Sequence, residues 1–135
     1  MINAIHIALS GLAASTKRVA TSASNIANLT TSGSIEDGGQ APYSTLTTTQ
    51  ESININGEGA GVKADTIPKN TPFVPSFDPD SPFANAEGVI GVPNTNLAEE
   101  AVNISLAETT FKANLKVIEI ASELQEEVVN LGRDR

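Results

Sequence analysis

The chain has no cysteine and no tryptophan, one histidine, and aromatics at only 4% of its 135 residues. Without cysteine there are no disulfides, thiolate metal sites or cysteine nucleophiles. His6 alone leaves no cluster for metal or triad chemistry. Bases are also scarce, at 8 Lys and Arg against 16 Asp and Glu, and the net charge is −8. Such a chain repels nucleic acid and anionic membrane surfaces, so neither partner is expected. Long apolar runs are missing too. No stretch approaches the ~18 residues of a membrane span, so no membrane insertion is expected. Met1 to Thr16 carries none of the basic residues that open a secretory signal. The hydrophobic share of 39% allows only a thin core, so partners are expected to supply part of the stability.

Catalytic patterns are absent as well. No paired acid and base, phosphate-cradling loop or nucleophile motif stands out. Gly57-x-Gly59-x-Gly61 lacks the context of a dinucleotide fold. Asp78-Pro79-Asp80 offers two carboxylates, too few for a calcium loop. No cofactor and no metal are expected, and the chain is not read as an enzyme.

What remains is organisation. Residues 1–31 hold Lys17 and Arg18 and no acid, whereas 32–96 carry a net −6 and 97–135 a net −4. All seven prolines and most of the glycines lie between Gly38 and Pro93, so the helix breakers are concentrated in the middle. The ends are predicted helical. Ile2, Ile5, Leu9, Leu12, Thr16, Val19, Ala23, Ile26 and Thr30 alternate at three- and four-residue spacing, a heptad seam sustained through the segment. Small residues between them, Ala4, Ala8, Gly11, Ala13, Ala14 and Ala20, allow another helix to come close.

From Leu97 to Leu131 there are two seams. Leu97, Ala101, Ile104, Phe111, Leu115 and Ile118 form the first. Leu106, Ala113, Val117, Ile120, Leu124, Val128 and Leu131 form the second. Two apolar faces on one helix imply two neighbours, and the chain has only one other good helix. The second neighbour is therefore expected on another molecule. Glu119, Glu123, Glu126 and Glu127 read as a solvated face, and Gly132 as a stop. In the middle, Tyr43 to Ile55 and Val62 to Ile67 read as strands around an Asn56-Gly57 turn. Pro68 to Pro93, with Phe73, Phe77 and Phe83, reads as an extended strap of fixed shape.

The two ends also carry a familiar pattern. Ala8-Leu9-Ser10-Gly11-Leu12, Arg18 and Ala23-Ser24-Asn25-Ile26-Ala27-Asn28 resemble the N-terminal signature of bacterial flagellar rod and hook proteins. Phe111-Lys112-Ala113-Asn114-Leu115-Lys116-Val117-Ile118 resembles that family's C-terminal signature. Pro42-Tyr43, Gly61-Val62, Phe77-Asp78-Pro79 and Val92-Pro93-Asn94 extend the resemblance through the middle, toward the family's proximal rod members.

The resemblance implies a structural subunit of the basal-body rod, exported through the flagellar type III apparatus without a cleaved signal into the periplasm-spanning shaft. Its partners would be other rod proteins and copies of itself in a helical lattice. The implied fold is mainly α with a small β part. Long terminal helices, 1–31 and 97–135, would pair as an antiparallel coiled coil and form one helical domain. A β-hairpin and an extended Pro-rich segment, within 32–96, would join them. Candidate assembly residues are Leu9, Leu12, Val19, Asn25, Ile26 and Asn28 at one end, and Phe111, Asn114, Val117, Ile120, Leu124 and Val128 at the other. Asn25 and Asn28 either end the first helix or satisfy buried backbone or cross-subunit groups where it meets the middle. Two other readings stay open: a non-polymerising adaptor on the flagellar axis, and a small acidic hydrolase, which has no catalytic constellation behind it.

Overall fold

The structure, a computed structural model, describes residues 2–133. Its elements run α1 (Ile2–Ala27), β1 (Leu46–Ile55), β2 (Glu58–Pro68), β3 (Phe73–Phe77), β4 (Val89–Pro93) and α2 (Leu97–Arg133). Two long helices thus enclose a small antiparallel β part.

α1 is rich in alanine and has no proline, so nothing interrupts its backbone hydrogen bonding. It stops at Asn28, whose backbone N–H and side-chain amide both donate to the Ser24 carbonyl, at 3.1 and 2.9 Å. α2 starts on a cap. The Asn96 Oδ1 accepts from the N–H groups of Ala98 (2.9 Å) and Glu99 (3.3 Å), two of the donors a helix start leaves free. Glu99 and Glu100 stand in the first turn, where the helix dipole favours carboxylates. Gly132 does not stop the helix, which continues to Arg133.

β1 and β2 form the expected hairpin. Asn56 and Gly57 both take positive φ, 54° and 84°, the pattern of a type I′ turn. Pairing resumes at once, with Ile55 opposite Glu58, so the return strand begins earlier than Val62. Ile53 then faces Gly61 while Asn54 faces Gly59, which leaves Ala60 as a bulge. Gly61 follows at φ 114°, and a Cβ there would overlap the Ser10 side chain. Ser10 Oγ meanwhile accepts the Val62 N–H at 3.0 Å. The bulge lets the hairpin lie on α1, where the Thr21 and Thr66 hydroxyls also meet at 2.9 Å. Gly61→Ala is therefore expected to cost about 1–3 kcal/mol, from strained φ and overpacking together. Urea unfolding gives that number. A change below about 0.5 kcal/mol would show that the hairpin does not need this close approach.

The Pro-rich strap is more ordered than the sequence reading. β3 and β4 pair antiparallel within it, from Phe73 opposite Pro93 to Phe77 opposite Val89. A two-stranded ribbon is all edge, so prolines are tolerated where their missing N–H faces outward. Gly33 and Gly91 exchange backbone hydrogen bonds of 3.0 and 2.8 Å and tie this ribbon to the segment after α1. A Cβ on Gly33 would overlap the backbone of Gln40 to Pro42, so the crossing requires glycine.

Candidate assembly interface

The helices pack antiparallel, with Asn25 beside Glu100 at one end and Gly11 against Asn114 further along. The residues between them are small. Ala8, Ala14, Ser15, Thr21 and Ser22 are buried on α1, and Ala107 and Ala121 on α2. Gly11 sits so close that a Cβ would reach 2.6 Å from the Asn114 amide. Apart from Ile90, the buried hydrophobic residues described are all alanines.

The expected seams are therefore not the contact between the helices. Leu9 and Val19 are exposed on α1, and Leu97 and Leu115 on α2. The reason is geometric. Alanine and glycine let the helix backbones approach until large side chains no longer fit between them, and those side chains are displaced to the flanks. On one side lies a largely apolar groove of about 410 Å³ lined by Ser15, Thr16, Val19, Ile104, Ala107, Glu108 and Phe111. Phe111 is half-buried there, and Leu12 and Ile118 are half-buried elsewhere on the two helices. The second α2 seam lies on the other flank of that helix. Its Val117, Ile120, Leu124 and Val128 are all exposed, by 44% to 58%.

One cluster seals the place where α1, α2 and the hairpin meet. The Asn25 amide, 0% exposed, donates to the Leu46 carbonyl and to Glu100 Oε1, both at 2.8 Å. Its Oδ1 accepts from the Leu46 N–H (2.9 Å) and the Tyr43 hydroxyl (3.1 Å). Every hydrogen-bonding position of the amide is used. Glu100, 2% exposed, and Tyr43, which also meets Ser24 Oγ at 2.9 Å, complete the group. Neither was singled out as a site residue from the sequence, because nothing local marks them as partners of Asn25. Asn28 has the plainer role of ending α1. Asn114 turns its amide back to the Thr110 carbonyl at 2.9 Å and abuts Gly11. Ile26 is half-buried.

The outer faces carry ordinary ion pairs. A hydrogen bond from Lys63 holds Asp65 below the usual carboxylate range, with Lys17 adding to it. Hydrogen bonding to Glu119 raises Lys116, and hydrogen bonding from Lys112 lowers Glu108. All are solvent-exposed and contribute little. Among the described residues no group of three or more His, Asp or Glu could hold a metal ion. No described helix is long and apolar enough to cross a membrane.

A core of alanines beneath outward-facing leucines and valines is the distribution expected of a subunit that completes its packing against neighbours. Comparison with known proteins agrees with that class. The family described as "Flagella basal body rod protein" matches residues 5–33. The flagellar basal-body rod protein FlgC of Salmonella typhimurium is 30% identical over 98% of both chains. FlgC of Agrobacterium fabrum is 31% identical over 95% of this chain and 92% of its own. FlgC of Borreliella burgdorferi is 30% identical over 87% of this chain and 88% of its own. The chain belongs to the flagellar basal-body rod protein family, and its function is that of a structural rod subunit.

Proposed function

We propose that this chain is a proximal rod subunit that polymerises with copies of itself and with other axial proteins into the periplasm-spanning shaft. It reaches that place through the flagellar type III apparatus, with no signal peptide removed. In the assembled rod the segments 1–31 and 97–135 act as one helical domain, an antiparallel coiled coil with an alanine-lined interior. Residues 32–96 form the outer part that locks against adjacent subunits. Leu9, Leu12 and Val19 on α1, and Phe111, Val117, Ile120, Leu124 and Val128 on α2, become buried on assembly. Asn25, Ile26, Asn28 and Asn114 hold the subunit in the shape that presents them.

One observation carries this reading: Leu9, Val19, Val117, Ile120, Leu124 and Val128 face outward, while the fully buried hydrophobic residues described on the two helices are Ala8, Ala14, Ala107 and Ala121. Fully burying such a side chain is worth roughly 1.5–3 kcal/mol, and at 37% to 58% exposure the monomer leaves about half of that gain unrealised. Detergent-extracted basal bodies from the source bacterium should contain the chain, and a deletion strain should lack rods and swim no longer. Rods that persist without the chain would identify it instead as an adaptor carried on the axis.

A further inference from the structure

Glu100 is an acid in an unexpected place. It is 2% exposed, and its one side-chain hydrogen bond is the 2.8 Å contact from the Asn25 amide. Arg18 and Lys69 line the small cavity beside it, yet Lys69 is bound to Glu99 and Arg18 forms no ion pair among the described residues. Burying an acid on a single neutral partner adds little stability. The dipole at the start of α2 does not require that burial, since the exposed Glu99 already meets it.

The bond does join the two helices. Among the described residues it is the single hydrogen bond between α1 and α2. Small residues supply most of the remaining interior, and they are not confined to it. Ala13, Ala20 and Ala23 on α1, and Ala98, Ala101 and Ala113 on α2, are exposed. A rotated or shifted α2 would therefore find alanines to pack on as well. Contacts of one kind on every face do not specify one pairing. A buried polar pair does, because any other placement leaves both groups unsatisfied.

We infer that Glu100 is a positioning residue: through Asn25 it fixes the rotation and register at which α2 meets α1. Its bearing on assembly rests on the rod-subunit reading. Leu9 and Val19 on α1, with Val117 and Leu124 on α2, present one constant surface only when the helices keep a single placement.

The cysteine-free sequence lets that placement be measured with two nitroxide labels on the full-length chain. His6→Cys and Thr109→Cys carry them, since both positions are exposed and lie on different helices. Glu100→Met removes the acceptor but leaves the Asn25 bonds to Leu46 and Tyr43 in place. Glu100→Gln keeps an acceptor for the Asn25 amide. The Glu100→Gln chain is expected to give the same single, narrow label distance as Glu100 itself. The Glu100→Met chain is expected to keep its helix content and gain a second distance, displaced by about 5 Å, one helical turn. Made in place of the wild type, Glu100→Gln should enter basal bodies and Glu100→Met should be lost from them. An unchanged distance in Glu100→Met would overturn the inference and give the register to the fit of Gly11 against Asn114. Loss of its helix content would also overturn it, by making Glu100 a residue of stability alone. A second distance in Glu100→Gln would take Asn25 out of the effect and overturn the route proposed. Shifted distances in a Glu100→Met chain that still enters basal bodies would uphold the positioning and overturn its bearing on assembly. Absence of the wild-type chain from basal bodies would overturn the rod reading and leave the label distances to decide the inference.

Discussion

Asn25→Ala should lower the melting temperature of the isolated chain by about 10 °C or more. The substitution strips partners from the Leu46 N–H and carbonyl, the Tyr43 hydroxyl and Glu100 Oε1 in one step. The site is 0% exposed, so water does not replace them without opening the junction. A buried polar group left unpaired costs about 1–3 kcal/mol, and several lost together bring the total to about 3–5 kcal/mol. For a domain of this size each kcal/mol moves the midpoint by roughly 3–5 °C. Asn25→Asp should be worse at neutral pH, because a carboxylate has nothing to donate and would face the Glu100 carboxylate at 2.8 Å. Thermal melts of both variants at neutral pH read this directly. A loss below about 3 °C for the alanine variant would mean that the cluster adds little to the fold.

The helices and the hairpin were legible because their signals are local. Three- and four-residue spacing marks a helix whichever way its face turns, and Asn-Gly marks a tight hairpin turn wherever it falls. The matching signatures at both ends reached the family for the same reason. Orientation was not legible. A periodic apolar seam is normally taken to face its partner helix, and here the alanines beside it do so. Gly11 and Ala14 were visible as small residues, but nothing local says that closest approach outranks the burial of Leu9 and Val19. Asn25 was read as a possible support for buried backbone, and it serves Leu46. Its bond to Glu100 joins residues 75 positions apart, a pairing that periodicity does not encode. The β3–β4 ribbon was hidden by its prolines, and the Gly33–Gly91 crossing by the lack of any side chain to notice.

Leu124→Asn should leave the isolated subunit almost untouched and remove it from the rod. Leu124 is 48% exposed and lies beyond Ala121, the last buried residue of α2. With about half of its surface already in water and no buried neighbour beyond Ala121 on α2, its loss should change subunit stability by no more than about 0.5 kcal/mol, the usual range for a surface substitution. At a packed contact between subunits the same change costs roughly 2–5 kcal/mol per copy. Each tenfold loss in affinity corresponds to about 1.4 kcal/mol, so one contact weakens by about 30-fold or more. A lattice repeats that loss at each subunit, and incorporation into basal bodies should fall below detection. Ala107→Leu is the opposite case. Its side chain would be forced into the tight interior between α1 and α2, so overpacking should lower subunit stability by about 1–3 kcal/mol. Melting the two purified variants, and measuring each in basal bodies from cells that make it in place of the wild type, separates a core position from a contact position. A Leu124→Asn subunit that melts normally and still enters the rod at the wild-type level would show that the stretch of α2 beyond Ala121 is bare in the assembly. A variant that melts several degrees early would place Leu124 in the subunit's own core.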